Sequence, residues 1–524
     1  MRRLLISVLV FAGLTACSSD NQVEVITRDS VSDSTDSPST DVGSDSTPDT
    51  SPTSEPAVAP DDPTADWPTP TIEWEDCPGR TECGTVEVPI DYTNADSKTA
   101  SIHLVRLPAT SKDDRIGSLL VNPGGPGFGG SFLAEQATGI YSEEILRRFD
   151  IIGFDPRGTG LSTPAIDCVD DYDYWFAGGD ITPDTDAERE EAVRWARDYT
   201  EECLTKNSDI IEFAGTNNVA RDMEMIRRAL GEEKISYFGF SYGSELGATW
   251  ATLFPHTVRA AVFDGAADPE ADPVDDVLQQ NKGFEDSITR FLDDCDSDPT
   301  CPLSGDAAGK FDAFMAELDE NPIPTSPDRP DLSRGMALTA VAQAMYSDSY
   351  WPQLADALVA AIDGDGSGLL ELWDEYFGRN PDGTWGNELE AFSNILCADR
   401  AERLTVEEAD ALVPRFNENA PRFAPYSTGD YSCSFWPEAR DPRVDITGKG
   451  AGPIVVIGTT GDPATPLKGT RNMARVLEDG RLIVVEADQH IGYTISMCAV
   501  EAVDAYLIDL EPPSERDDEL ACDY

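Results

Sequence analysis

The sequence predicts an α/β fold, with a mostly parallel central sheet, helices on both of its faces and an inserted helical cap. Three observations lead there. From Trp67 onward, short apolar runs of strand length alternate with segments of helical spacing, the pattern of parallel strands buried on both faces. A serine between two glycines, in GFSYGS at 239–244, stands where one such strand hands over to a helix. Between residues 270 and about 445 helical signals dominate, and strands return only afterwards.

Taken in order, residues 1–16 read MRRLLISVLVFAGLTA: two arginines precede an apolar run too short to be retained across a bilayer, which marks an export signal. The string LTAC resembles a bacterial lipobox and makes Cys17 the expected lipidated first residue of the mature chain, anchored to a membrane on the extracytoplasmic side. Residues 17–66 are rich in Ser, Thr, Asp and Pro and have little apolar surface to offset the entropy of ordering, so a disordered tether is expected. A flexible coil of roughly 50 residues spans about 40 Å on average.

The core of residues 67–269 opens with GTVEVPIDY and ASIHLVRLP, an antiparallel pair. Next come the strand in IGSLLVNPGGPGFGG, running into a glycine-rich loop, and the strand in FDIIGFDPRGTGLS. VARDMEMIRRALG has helical spacing and a glycine stop; ISYFGF is a strand, SELGATWATLFP a helix ended by proline, and RAAVFDGAADP a further strand. Residues 270–445 form the cap, with helices such as NKGFEDSITRFLDDC and YWPQLADALVAAI. The core resumes over 446–524 with the strands GPIVVIGTTGD and RLIVVEADQH and a closing helix, AVEAVDAYLIDL. An insertion placed there would lie above the carboxyl ends of the strands, where open α/β sheets bind ligands.

Composition sets outer limits. The chain of 524 residues is 40% apolar, ample for a large core, and carries a formal charge of -61, which would repel nucleic acid. Of 11 cysteines, setting aside Cys17 leaves ten, an even set that suits an oxidising compartment. Pairing neighbours along the chain gives 77 with 83, 168 with 203, 295 with 301, 397 with 433, and 498 with 522. Three histidines and no CxxC leave little to bind a metal, and no cofactor is expected.

The chemistry starts from Ser241. In a strand-to-helix elbow the chain turns so sharply that small residues must flank the serine, and Gly239 and Gly243 do so. Serine needs a base, and histidine is scarce: His103 lies in an early strand, His256 in a loop, and His490 just past the last apolar strand, at the same sheet edge as the elbow. Asp462, in GTTGDPATP, is the expected acid partner of His490; Asp264 in VFDGAADP competes for the role, and Asp488 is too near His490 in sequence to be preferred. The oxyanion donors expected are the backbone N–H groups of Tyr242 and of Gly125 in NPGGPG. A peptide ammonium group would be held by carboxylates, for which Glu245, Asp268 and Glu270 are the candidates.

The strings NPGGPG, FDPRGTGLS, GFSYGSELGATWATLFP, VFDGAADP, CADR, CSFWP and GTTGDPATP together resemble the exported tripeptidyl and prolyl aminopeptidase branch of the α/β-hydrolases. The resemblance covers essentially the folded chain. It implies Ser241 as nucleophile, Asp462 as acid and His490 as base, a helical cap, and cleavage of peptides near a free N-terminus without metal; separately, a monomer is expected. Two departures stand out: QHIGYT lacks the glycines that many relatives place on both sides of the histidine, and Pro123 stands where relatives often begin the oxyanion loop with histidine. An ester or lipid hydrolase with the same triad, and an inactive lipid-anchored binding protein, are the alternatives.

Overall fold

The computed structural model describes residues 62–428, 431–516 and 518–524. The expected export signal, Cys17 and nearly all of the tether lie outside the described residues.

Among the described residues ten strands form one sheet: β1 (Glu75–Asp76), β2 (Glu82–Pro89), β3 (Thr99–Leu107), β4 (Gly117–Asn122), β5 (Phe149–Phe154), β6 (Ile235–Phe240), β7 (Val258–Asp264), β8 (Ile454–Thr459), β9 (Gly480–Glu486) and β10 (Glu519–Asp523). Their spatial order is β1-β2-β3-β5-β4-β6-β7-β8-β9-β10. The first three strands are antiparallel, as is the β3–β5 pair, and every pairing from β5 to β10 is parallel. All six residues of β4, β5, β6 and β8 are buried. Both faces of these strands are covered, which is why their sequences read as continuous apolar runs and do not alternate.

One sheet face packs residues such as Leu120, Tyr237, Phe263 and Trp250; the other packs Val121, Phe238, Val262 and Ile457. Each such side chain contributes about 1.5–3 kcal/mol by leaving water. The helix Thr216–Leu230 stops at Gly231, whose φ of 72° is the left-handed conformation that glycine adopts without a Cβ penalty. Several elements go beyond the sequence reading, two of them with a clear physical cause. A long helix, Asp186–Lys206, starts at a reciprocal cap between Thr185 and Glu188. Strand β10 pairs with β9 and is tied by the Cys498–Cys522 disulfide to the helix Met497–Asp509.

Between β7 and β8 the chain is helical, with Pro273–Ser297, Ala307–Glu320, Arg334–Met345, Trp351–Ile362, Ser367–Tyr376, Glu388–Asp399 and Val406–Asn419 as its main helices. Most of them share a core of their own, centred on Phe291, Leu292, Phe311, Leu338, Val341, Leu358 and Trp373. The helix Glu388–Asp399 is different: Ala391, Ile395 and Cys397 pack with the sheet-face cluster. The five disulfides join the sequence neighbours named above.

Buried ion pairing fixes the FDPRGTGLS string. Arg157 is fully buried and sends Nε and Nη2 to the two carboxylate oxygens of Asp222, at 2.7 and 2.5 Å, and further bonds to the carbonyls of Pro89 and Ile90. Asp155 in turn accepts the backbone N–H groups of Ser131 and Leu161, at 3.0 and 2.9 Å. These motif residues hold loops in place.

Candidate active site

Ser241 follows β6 directly and caps the helix Tyr242–Leu253 with φ 54° and ψ -127°. A non-glycine residue at positive φ stores strain of about 1–3 kcal/mol, which the surrounding structure must overcome. Here the Ser241 N–H donates to the Asp264 carbonyl at 2.8 Å, anchoring the turn to β7. A side chain at Gly239 would collide with the carbonyl of Gly243, so the flanking glycine is a steric requirement. Gly124, at φ 98°, comes equally close: a Cβ there would stand 2.8 Å from the Ser241 Cβ and 3.0 Å from the Tyr242 nitrogen. The loop after β4, with Gly124 and Gly125 both at positive φ, thus lies against the Ser241–Tyr242 turn, where the expected oxyanion donors were placed.

Asp462 lies in the loop after β8, with its side chain fully buried, and His490 lies beyond β9. The imidazole Nδ1 donates to Asp462, 2.9 Å from Oδ1 and 3.1 Å from Oδ2. The carboxylate is itself held by the N–H groups of Ala464 and Thr465, at 2.9 and 2.8 Å, and by the Thr465 hydroxyl at 3.0 Å. That hydroxyl is also 3.3 Å from Nδ1. With Nδ1 committed to the carboxylate, Nε2 is the free nitrogen. It is buried and has no hydrogen-bond partner, so it is not bonded to Ser241 in this structure.

Gly265 relates the two groups. It follows the Asp264 carbonyl that holds Ser241, and a Cβ on it would lie 3.2 Å from His490 Cε1. Burial alone would pull the His490 pKa down; the Asp462 carboxylate, through its charge and its hydrogen bond, and Asp264 more than reverse this and raise it above the ordinary 6.5.

The competitor Asp264 has another task. Its two oxygens accept the N–H groups of Gly492 and Tyr493, each at 2.8 Å, holding the turn that follows His490. Burial pushes its pKa up to about 7 even against those two bonds. Asp488 pairs with Arg290, 2.6 Å from its Nε. His103 occupies a sheet position opposite Thr85, and His256 is exposed in a short turn.

The three carboxylates expected to meet a substrate ammonium all have partners within the chain. Glu245, in the first turn after the elbow, is ion-paired with Arg443. Asp268 accepts from Gln279 Nε2 at 3.1 Å and Asn472 Nδ2 at 3.0 Å. Glu270 is half-exposed and ion-paired with Arg475. None of these contacts reaches Ser241 or His490.

Sequence reasoning missed several supporting residues. Thr465 was readable: an aspartate whose side chain caps N–H groups two and three residues on is common turn chemistry, and GDPATP carries it. Thr216 was not. Its hydroxyl joins the Tyr242 phenol and Asp399, linking the helix Thr216–Leu230 and the CADR string to the residue after the serine. Among the described residues no group of three or more His, Cys, Asp or Glu side chains could hold a metal ion.

A parallel sheet with a serine elbow after β6, an aspartate after β8 and a histidine after β9 is the arrangement of the α/β-hydrolase fold. Residues 117–494 match the family model for that fold, and the chain belongs to this family. It is 36% identical over 480 residues to serine protease Hip1 of Mycobacterium tuberculosis, covering 84% of this chain and 90% of that one. It is also 36% identical over 450 residues to carboxylesterase B of the same species, covering 83% and 86%. To tripeptidyl aminopeptidase of Streptomyces lividans it is 30% identical over 466 residues, covering 83% and 84%. The chain is a serine hydrolase.

Proposed function

We propose that this hydrolase is an exported, membrane-anchored peptidase that releases short peptides or amino acids from the N-terminus of peptides, with Ser241, His490 and Asp462 as its triad. One observation carries the triad: Asp462 holds the Nδ1 edge of His490 while the buried Nε2 is left without a partner beside the Ser241 elbow. In the reaction His490 Nε2 takes the Ser241 proton as Oγ attacks the peptide carbonyl. The oxyanion is met by the N–H groups of Tyr242 and Gly125, His490 returns the proton to the leaving amine, and water hydrolyses the acyl-enzyme.

Peptide as substrate rests on the names of two relatives, a serine protease and a tripeptidyl aminopeptidase. The helical segment of residues 270–445 is the cap in this reading, limiting access to short or unfolded chains. An ammonium group bound at Glu245 would have to displace Arg443. Export rests on the leader, the lipobox at Cys17 and the five disulfides.

The relative named carboxylesterase B, at the same identity as the protease, favours an ester-hydrolysing reading as the second choice. A panel of peptidyl and aminoacyl chromogenic amides beside short-chain esters separates the two. The peptidase reading expects amide cleavage that is lost on N-terminal acetylation and abolished in Ser241→Ala; ester turnover without amide cleavage overturns it.

A further inference from the structure

The loop that carries His490 is held from two sides. From the sheet, Asp264 takes the N–H groups of Gly492 and Tyr493, and the Thr459 hydroxyl donates to the Gln489 carbonyl. From the helical segment, the turn after the helix Arg334–Met345 runs against the same loop. His490 N–H donates to the Tyr346 carbonyl at 3.0 Å, Asp348 N–H to the Asp488 carbonyl at 3.3 Å, and Ser347 forms an isolated antiparallel bridge with Gln489. Side chains reinforce the pairing: Gln489 Nε2 donates to Asp348 Oδ1 at 2.5 Å, and the Tyr346 ring stands edge-on to the imidazole, 5.2 Å between centroids at 85°.

Arg290 adds a second tie from the helix Pro273–Ser297. Its Nη2 donates to the Gly461 carbonyl at 2.8 Å, in the residue before the acid, and its Nε lies 2.6 Å from Asp488 Oδ1, two residues before the base. One guanidinium therefore bridges the loops of Asp462 and His490, whose own contact is a pair of hydrogen bonds spanning 28 residues of sequence.

We infer that Arg290 and the Tyr346–Asp348 turn are positioning elements for the acid and base, so that the triad is correctly set only while the helical segment is seated on those loops. The segment is then half of the base's support as well as a cover. The inference rests on the triad proposed above. Misplacing a catalytic group by about 1 Å costs on the order of a hundredfold in rate, so a tie to both loops has leverage without touching substrate.

Arg290 lines an open cleft of about 770 Å³. Its side chain and that of Asp488 are 37% and 35% exposed, so Arg290→Met can be made without leaving a buried cavity. The experiment compares wild type, Arg290→Met, Arg290→Lys and Asp348→Ala for kcat, KM, the rate of fluorophosphonate labelling at Ser241, and melting temperature. Expected are a loss of kcat and of labelling rate by about tenfold or more in Arg290→Met, KM within twofold, and partial recovery in Arg290→Lys. A smaller fall in kcat is expected for Asp348→Ala. If Arg290→Met and Asp348→Ala both keep kcat within twofold of wild type, or lose it only in proportion to lost folded protein, the inference is overturned. A wild-type chain inert to both amides and esters overturns the triad reading itself, a result distinguishable from the first because it appears before any substitution is made.

Discussion

Strands β7 and β8 lie side by side, run parallel, and each leads to a buried aspartate, Asp264 on the last residue of β7 and Asp462 three residues past β8. The two carboxylates meet different groups. Asp264 faces two backbone N–H groups and fixes the path of the chain after His490; Asp462, on a loop that folds back, faces the imidazole and fixes its tautomer. The difference teaches that position at the sheet edge does not assign a carboxylate its role. What it meets does, and here that was decided by three extra residues of loop.

The largest expected effect separates the two directly. Asp462→Asn should lower kcat by about 10⁴-fold, because an amide favours the wrong imidazole tautomer, with little change in melting temperature. Asp264→Asn should leave kcat within tenfold but leave one buried N–H unpaired, at about 1–3 kcal/mol of stability, read as a lower melting temperature. If the two substitutions gave the same profile, the division of labour would be wrong.

A middle-sized effect lies in the pH profile. In the proposed triad His490 must be neutral to act as base, and Asp462 and Asp264 hold its pKa above 6.5 despite burial, so kcat/KM should rise with pH through an apparent pKa above that value. Asp462→Asn should move this acid limb down, and Asp264→Asn should move it down by less.

A further expectation concerns stability against pH. Burial pushes the carboxyl groups of Asp264, Asp399 and Glu390 up to about 7. In the unfolded chain these groups lose their protons near pH 4, so between there and about 7 the folded state binds more protons. Their contribution is complete below the unfolded values and is lost as pH rises through the folded ones. His490, also raised, runs in the same direction: its contribution is complete below 6.5 and lost above. The melting temperature should therefore fall from pH 5 to 8 while activity climbs, and calorimetry showing the reverse slope would contradict the burial of these acids.

Much of this arrangement was legible in the sequence because it is written locally. A strand, a glycine-flanked serine and a helix follow one another without a break over residues 235–253, and the apolar runs before Asp462 and His490 set both at one sheet edge. Chain order admitted both Asp264 and Asp462 as partners of His490, and only the folded arrangement separates them. Arg290, Tyr346 and Asp348 were not legible, since each acts on a loop more than 130 positions away and nothing in their own surroundings marks them. The same distance hid the partners of Glu245 and Glu270, Arg443 and Arg475, which decide whether those carboxylates are free. Strand β10 escaped because DELACDY is too acidic to read as a strand; its pairing with β9 and the Cys498–Cys522 bond hold it in line.

That last strand and its counterpart at the opposite border have a bearing on crowding. The sheet stops at Glu75–Asp76 on one side and at Glu519–Asp523 on the other, both short, both carrying exposed carboxylates. A neighbouring molecule offering its own unpaired backbone would meet negative charge at either rim, so strand-by-strand growth into fibres or clumps is discouraged.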